Sequence, residues 1–119
     1  MQFSVLSVAA IAVSLSSTLV SGTVYQGLRT GVDGSQQQVA WTNGTPDICS
    51  GFSTIRNDNG NPCGIQFFVD GNNGPFVMNN CGVGNPALER NGQFNSVCTF
   101  QPLNIGCAGG VTIKQTWQC

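Results

Sequence analysis

From residue 23 onward the apolar positions come in short runs broken by Gly, Asn, Asp and Pro, and no helical period is sustained. Such runs predict strands, placed here at 23–28, 37–42, 50–56, 63–69, 76–79, 94–100 and 111–117. Several alternate. Val39 and Trp41 share a face, as do Ile65, Phe67 and Val69. Val111, Ile113, Gln115 and Trp117 are assigned to one face of the last run, with Thr112, Lys114 and Thr116 on the other. One apolar and one polar face per strand is the pattern of an antiparallel sheet. Between the runs stand Asp33-Gly34, Asn43-Gly44, Asn59-Gly60, Asp70-Gly71 and Asn91-Gly92, pairs that reach positive φ at low cost in tight hairpins. The pattern predicts an all-β fold, a compact antiparallel β-sandwich or small barrel with at most one short helix. That helical turn is placed at 86–90, closed by Asn91-Gly92.

Residues 1–22 do not fit this pattern. Their apolar run, 5–15, is far shorter than the roughly 18–20 residues that span a bilayer. Its apolar side chains would encircle a helix and leave no polar face. Small residues at Val20-Ser21-Gly22 place a signal-peptidase cut before Thr23. The reading is a secretory signal over 1–22 and a single domain over 23–119, secreted and extracellular, with no stable membrane anchor.

Cysteine usage sharpens that picture. Cys49, Cys63, Cys81, Cys98, Cys107 and Cys119 all follow the leader. An even number in a short chain bound for an oxidising compartment predicts three disulfides. Spacing leaves the pairing open. No neighbours stand at zinc-knuckle or redox spacing, so no metal site is drawn. A domain this small buries only about 60–65% of its unfolded surface, and glycine raises the entropy lost on ordering. Each bridge offsets this by roughly 2–5 kcal/mol. All six lie beyond residue 48, so the first part of the domain depends on packing and strand pairing.

Charge removes several functions. Four Lys and Arg against five Asp and Glu, a net charge of −1, cannot hold a phosphate backbone, so no nucleic-acid partner is expected. There is no histidine, which excludes imidazole chemistry. The carboxylates are Asp33, Asp47, Asp58, Asp70 and Glu89. A glycosidase needs two of them facing each other about 5–10 Å apart. Asp33, Asp58 and Asp70 instead sit in or beside Gly-rich turns, and Asp47 follows Pro46, where Asp serves its own backbone. No catalytic pair is assigned and no cofactor is expected. The Asn- and Gly-rich stretches 56–61 and 70–74 lack the terminal bidentate Glu of a helix-loop-helix calcium site.

Amides and aromatics remain. Flat rings facing the apolar side of a sugar, with neutral amides for its hydroxyls, make a carbohydrate site. Tyr25, Trp41 and Phe76 are the candidate binding aromatics, with Phe76 expected to be exposed at a loop edge. Phe67, Phe94, Phe100 and Trp117 are assigned to the core, Trp117 against a disulfide. Asn43-Gly44-Thr45 is a glycosylation sequon, followed by Pro46, which lowers occupancy.

The leader opening Met1-Gln2-Phe3-Ser4, the six cysteines and the Gly- and Asn-rich body resemble the small secreted cysteine-rich proteins of filamentous fungi, many of them effectors. The resemblance is one of style across the whole chain and transfers no functional residue. Hydrophobins carry eight cysteines, fungal guanyl-specific ribonucleases use a histidine, and lysine-rich antifungal proteins are basic. Virally derived killer toxins share only a late strand ending in a terminal cysteine, as at 111–119. The missing histidine, the lack of a catalytic pair and the bridged scaffold point to a non-enzymatic, monomeric binding protein, and the resemblance to an effector or virulence-type one that binds a cell-wall polysaccharide or a host extracellular protein. An antimicrobial or killer-toxin-like protein and a small carboxylate-dependent hydrolase are the alternatives.

Overall fold

The computed structural model describes residues 23–119, and the expected leader, 1–22, lies outside them. The chain runs β1 (Val24–Thr30), β2 (Gln36–Thr42), α1 (Ile48–Gly51), β3 (Ser53–Arg56), β4 (Phe67–Val69), β5 (Asn73–Asn79), β6 (Ala87–Arg90), β7 (Gln93–Val97), β8 (Thr99–Gly106), a 3-10 turn (Ala108–Gly110) and β9 (Thr112–Gln118). These strands form two antiparallel sheets, ordered β8-β9-β1-β2-β3 and β4-β5-β6-β7. The all-β, disulfide-stapled expectation holds.

The main core lies between the sheets. Val24, Ala40 and Ile55 from the five-stranded sheet meet Phe67, Val69, Phe76, Met78 and Leu88 from the other, with Cys98 among them. A second, smaller cluster covers the opposite face of the five-stranded sheet. There Val39, Trp41 and Ile113 pack under Ile48 and Phe52, with Tyr25, Ile105 and Cys107 beside them. The central strands β1 and β2 are thus apolar on both faces, and each pairs with a strand on either side. That is how the cysteine-free first part of the domain is held.

The disulfides are Cys49–Cys107, Cys63–Cys81 and Cys98–Cys119. The first straps α1 and the loop after β8 over the smaller cluster, while the other two pack against the main core. Cys98 is the single residue between β7 and β8, where the chain passes from one sheet to the other. Its bridge to Cys119 ties that crossing to the residue after β9, and the Cys119 N–H donates to the Val24 carbonyl.

Four expectations need correction. Residues 86–90 do not form a helical turn. Asp70-Gly71 and Asn91-Gly92 both take positive φ, the first in a three-residue connection between Val69 and Asn73, the second as a two-residue hairpin. Asn91-Gly92 therefore folds β6 back on β7, pairing Arg90 with Gln93. The helical turn forms instead at Ile48–Gly51, at the start of the run assigned to a strand over 50–56. Asp47 caps it, its carboxylate accepting from the Cys49 N–H at 3.1 Å and the Ser50 hydroxyl at 3.0 Å. The run 94–100 is two strands in different sheets, divided at Cys98.

The last run is also not one face. The pairing of β9 with β1 shifts register between Gln115 and Trp117, and the facing stretch of β8 shifts between Phe100 and Leu103. A bulge reverses the alternation, because one extra residue turns every later side chain over. Ile113 consequently belongs to the smaller cluster and Trp117 to the main core. Pro102, which has no N–H to donate, is accommodated at this irregularity on the edge strand β8.

Candidate functional site

The bulge in β9 helps shape a groove of about 430 Å³ on the face that carries the smaller cluster. Binding sites for small ligands commonly enclose about 300–1,000 Å³. Tyr25 of β1 and Trp41 of β2 are cross-strand partners whose rings stack with centroids 6.0 Å apart and planes 17° from parallel. Gly27 makes the packing of this pair possible, since a Cβ there would lie 3.0 Å from the Trp41 ring. Ile48, Leu103 and Ile105 supply apolar walls, and Asn43, Gln115 and Gln118 line the groove with amides. Gln115 is held in place by donating from Nε2 to the Gln101 carbonyl at 2.7 Å. No charged side chain lines the groove among the described residues.

Of the three aromatics expected to bind, two meet here and one does not. Trp41 lies at the groove with only 1% of its surface exposed, so Tyr25, partly exposed, is the aromatic it presents. Phe76 is fully buried, which corrects its expected exposure. The strand containing it begins at Asn73, so Phe76 is an interior strand position with Met78 on the same inward face. It packs against Phe67 at 5.8 Å between centroids, and the Arg90 guanidinium lies over its ring.

Two phenylalanines assigned to the core are in fact exposed: Phe94 at 68% and Phe100 at 60%. They lie on β7 and β8, outer strands of the two sheets, and Val97 and Leu103 beside them are also exposed. Phe100 meets Trp117 edge to face at 5.7 Å, and Trp117 packs against the core cluster that contains Cys98. The missed signal was Cys98 itself, which interrupts the alternation where the chain changes sheet.

The carboxylates are occupied as the turn reading expects in three cases. Asp33 accepts from the Ser35 N–H and hydroxyl, and those bonds hold its pKa below the ordinary carboxylate value. Asp58 pairs with Arg56 and accepts from the Gly60 N–H, which lowers its pKa in the same way. Asp47 caps α1. Asp70 does something the sequence did not disclose. From its hairpin it reaches across to the other sheet, accepting from the Thr42 hydroxyl and from the Thr45 hydroxyl at 2.8 Å. Among the described residues no carboxylate lines the groove.

Asn43 is exposed and stands at the groove's rim. A second cavity, of about 470 Å³, lies along β1, β8 and β9 and includes Leu28, Thr30, Asn104, Thr112 and Lys114, but no aromatic ring. A third depression is formed by the polar loops at 34–36 and 57–59. Among the described residues no helix is long and apolar enough to cross a membrane. Three disulfides accord with an oxidising environment. No protein-family model, no curated protein sequence and no solved structure matches this chain.

Proposed function

We propose that this chain is a small secreted binding protein, effector-like and without enzymatic activity, that engages a neutral glycan of a cell wall or host surface through the Tyr25 groove. The observation that carries the reading is chemical. The groove combines a partly exposed aromatic ring, apolar walls and amides, and carries no charge. A sugar ring offers an apolar face to Tyr25 and hydroxyls to Gln118. Neutral amides donate and accept at once, whereas a carboxylate only accepts. The bridged scaffold suits an extracellular fluid, because proteolysis requires local opening that the disulfides limit.

Retention on insoluble chitin, β-glucan and cellulose tests the proposal. Tyr25→Ala is the informative variant, since Trp41 is core and its removal endangers the fold. Loss of one aromatic contact worth about 0.5–1.5 kcal/mol lowers affinity roughly 2- to 12-fold. Equal retention of the parent and Tyr25→Ala, or recovery of the parent entirely in the supernatant, refutes it.

A second reading is favoured by a surface that shares only Leu103 with the groove. Phe94, Val97, Phe100 and Leu103 are each more than half exposed on β7 and β8, edge strands that follow one another in the chain. Exposed apolar side chains on strands with an unpaired edge suit strand addition by a protein partner. For this reading, Phe100→Ser abolishes capture of a host extracellular protein while polysaccharide retention is unchanged.

A further inference from the structure

The sequon and the groove are one piece of the fold. Trp41 is the penultimate residue of β2, and the Asn43 N–H continues its ladder by donating to the Thr23 carbonyl. Trp41 in the strand and Asn43 at the start of the turn, two residues apart, both line the groove with Tyr25. Residues 42–45 then close a turn. The Thr45 N–H donates to the Thr42 carbonyl, the Thr42 N–H to the Thr45 hydroxyl, and the Gly44 N–H to the Thr42 hydroxyl, all at 3.1 Å. Asn43 is thus held at the rim by backbone and hydroxyl bonds that leave its side chain exposed.

We infer that Asn43 carries an N-linked glycan whose first N-acetylglucosamine folds back over Tyr25 and closes the groove to other sugars. This rests on the reading of the groove as a sugar site and adds its regulation. The attachment joins Asn43 Nδ2 to the anomeric carbon of an oligosaccharide carried on a polyprenyl pyrophosphate. The C–O bond to the pyrophosphate breaks, Nδ2 loses a proton, and the lipid pyrophosphate leaves. Addition precedes folding, because in the folded domain the Thr45 hydroxyl of the sequon is engaged by Asp70. The tether then presents the first sugar to the groove at a high effective concentration. Its apolar face covers Tyr25, and its acetyl methyl meets the wall of Ile48 and Leu103. Unmodified chains keep the groove open, so partial occupancy, which Pro46 favours, yields one closed and one open population.

The test uses the full chain secreted from eukaryotic cells. Intact-mass and peptide mapping are expected to find hexosamine-based mass on Asn43. Melting temperatures are then compared for the glycosylated form, the form trimmed enzymatically to one N-acetylglucosamine, and Asn43→Gln, each also in a Tyr25→Ala background. Trimming is expected to leave the melting temperature unchanged and Asn43→Gln to lower it by roughly 2–5 °C, a difference that vanishes with Tyr25→Ala. On insoluble chitin, Asn43→Gln is expected to pellet more completely than the glycosylated form. Unmodified Asn43 overturns the inference, as does a melting difference indifferent to Tyr25. Equal retention of both forms on chitin overturns the closure. If neither form binds any polymer, the external-glycan reading fails, while the melting comparison still decides where the attached sugar sits.

Discussion

Gly27→Ala is the sharpest test of how the five-stranded sheet is packed. Gly27 lies on β1, opposite Val39 of β2 and Gln115 of β9. A Cβ there would stand 2.6 Å from the Lys114 carbonyl oxygen, 3.0 Å from the Trp41 ring and 3.1 Å from the Gln115 Cα. Two of those three atoms are backbone on β9 and cannot yield without disturbing the β1–β9 pairing, and the third belongs to a buried ring. Overpacking of this kind costs about 1–3 kcal/mol, and the unfolded-state entropy that Ala removes offsets about 0.4–1 kcal/mol. Taken at mid-range, about 2 less about 0.7 leaves a net loss of about 1.3 kcal/mol, which lowers the melting temperature by roughly 5–10 °C in a domain of this size. Gly106→Ala is the internal comparison, because a Cβ on that edge-strand residue meets nothing within 4 Å. It is expected to melt at or slightly above the parent temperature. Far-UV circular dichroism melts of the three proteins decide the matter. A Gly27→Ala protein that melts within about 2 °C of the parent, or two glycine variants that shift alike, would refute the packing argument.

Phe76→Ala is expected to cost about 3–5 kcal/mol and Phe94→Ala less than about 0.5, measured by denaturant titration; the reverse order would restore the loop-edge reading of Phe76. Replacing both Cys49 and Cys107 by Ser removes a closure over 58 residues and costs about 4 kcal/mol, against about 3 kcal/mol for Cys63 and Cys81, which are 18 apart. Equal losses would show that native-state contacts outweigh loop entropy. Asp33 and Asp58 have pKa values held below the ordinary carboxylate value by Ser35 and by Arg56, so their contribution is present above that value and lost as pH falls through the lowered one. With no histidine in the chain, the melting temperature is expected to stay level between about pH 5 and 8 and to fall below about pH 4; a decline between pH 7 and 5 contradicts this.

Local rules made much of the architecture legible. Short apolar runs bounded by turn residues located β1, β2 and β9 to within two residues at each end, because both signals are written in neighbouring side chains. Asn91-Gly92 and Asp70-Gly71 were read as turns because few residues reach positive φ cheaply. The cysteine count required bridges, while their pairing awaited the fold that brings Cys49 beside Cys107. Tyr25 and Trp41 were candidates on residue chemistry alone; that they stack follows from the β1–β2 register. Phe76 and Phe94 exchanged their expected environments because burial depends on which sheet a strand joins and whether it lies at an edge, and neither is a local property. The bulge in β9 divided Ile113 from Trp117 for a related reason. It answers an irregularity in β8, so it exists only once the two strands have paired. Asp70 is the plainest case. Its sequence neighbours prescribe a hairpin, and that much came from the residues alone. Its bonds to Thr42 and Thr45, 28 and 25 residues away, arise only when the two sheets close on their shared core.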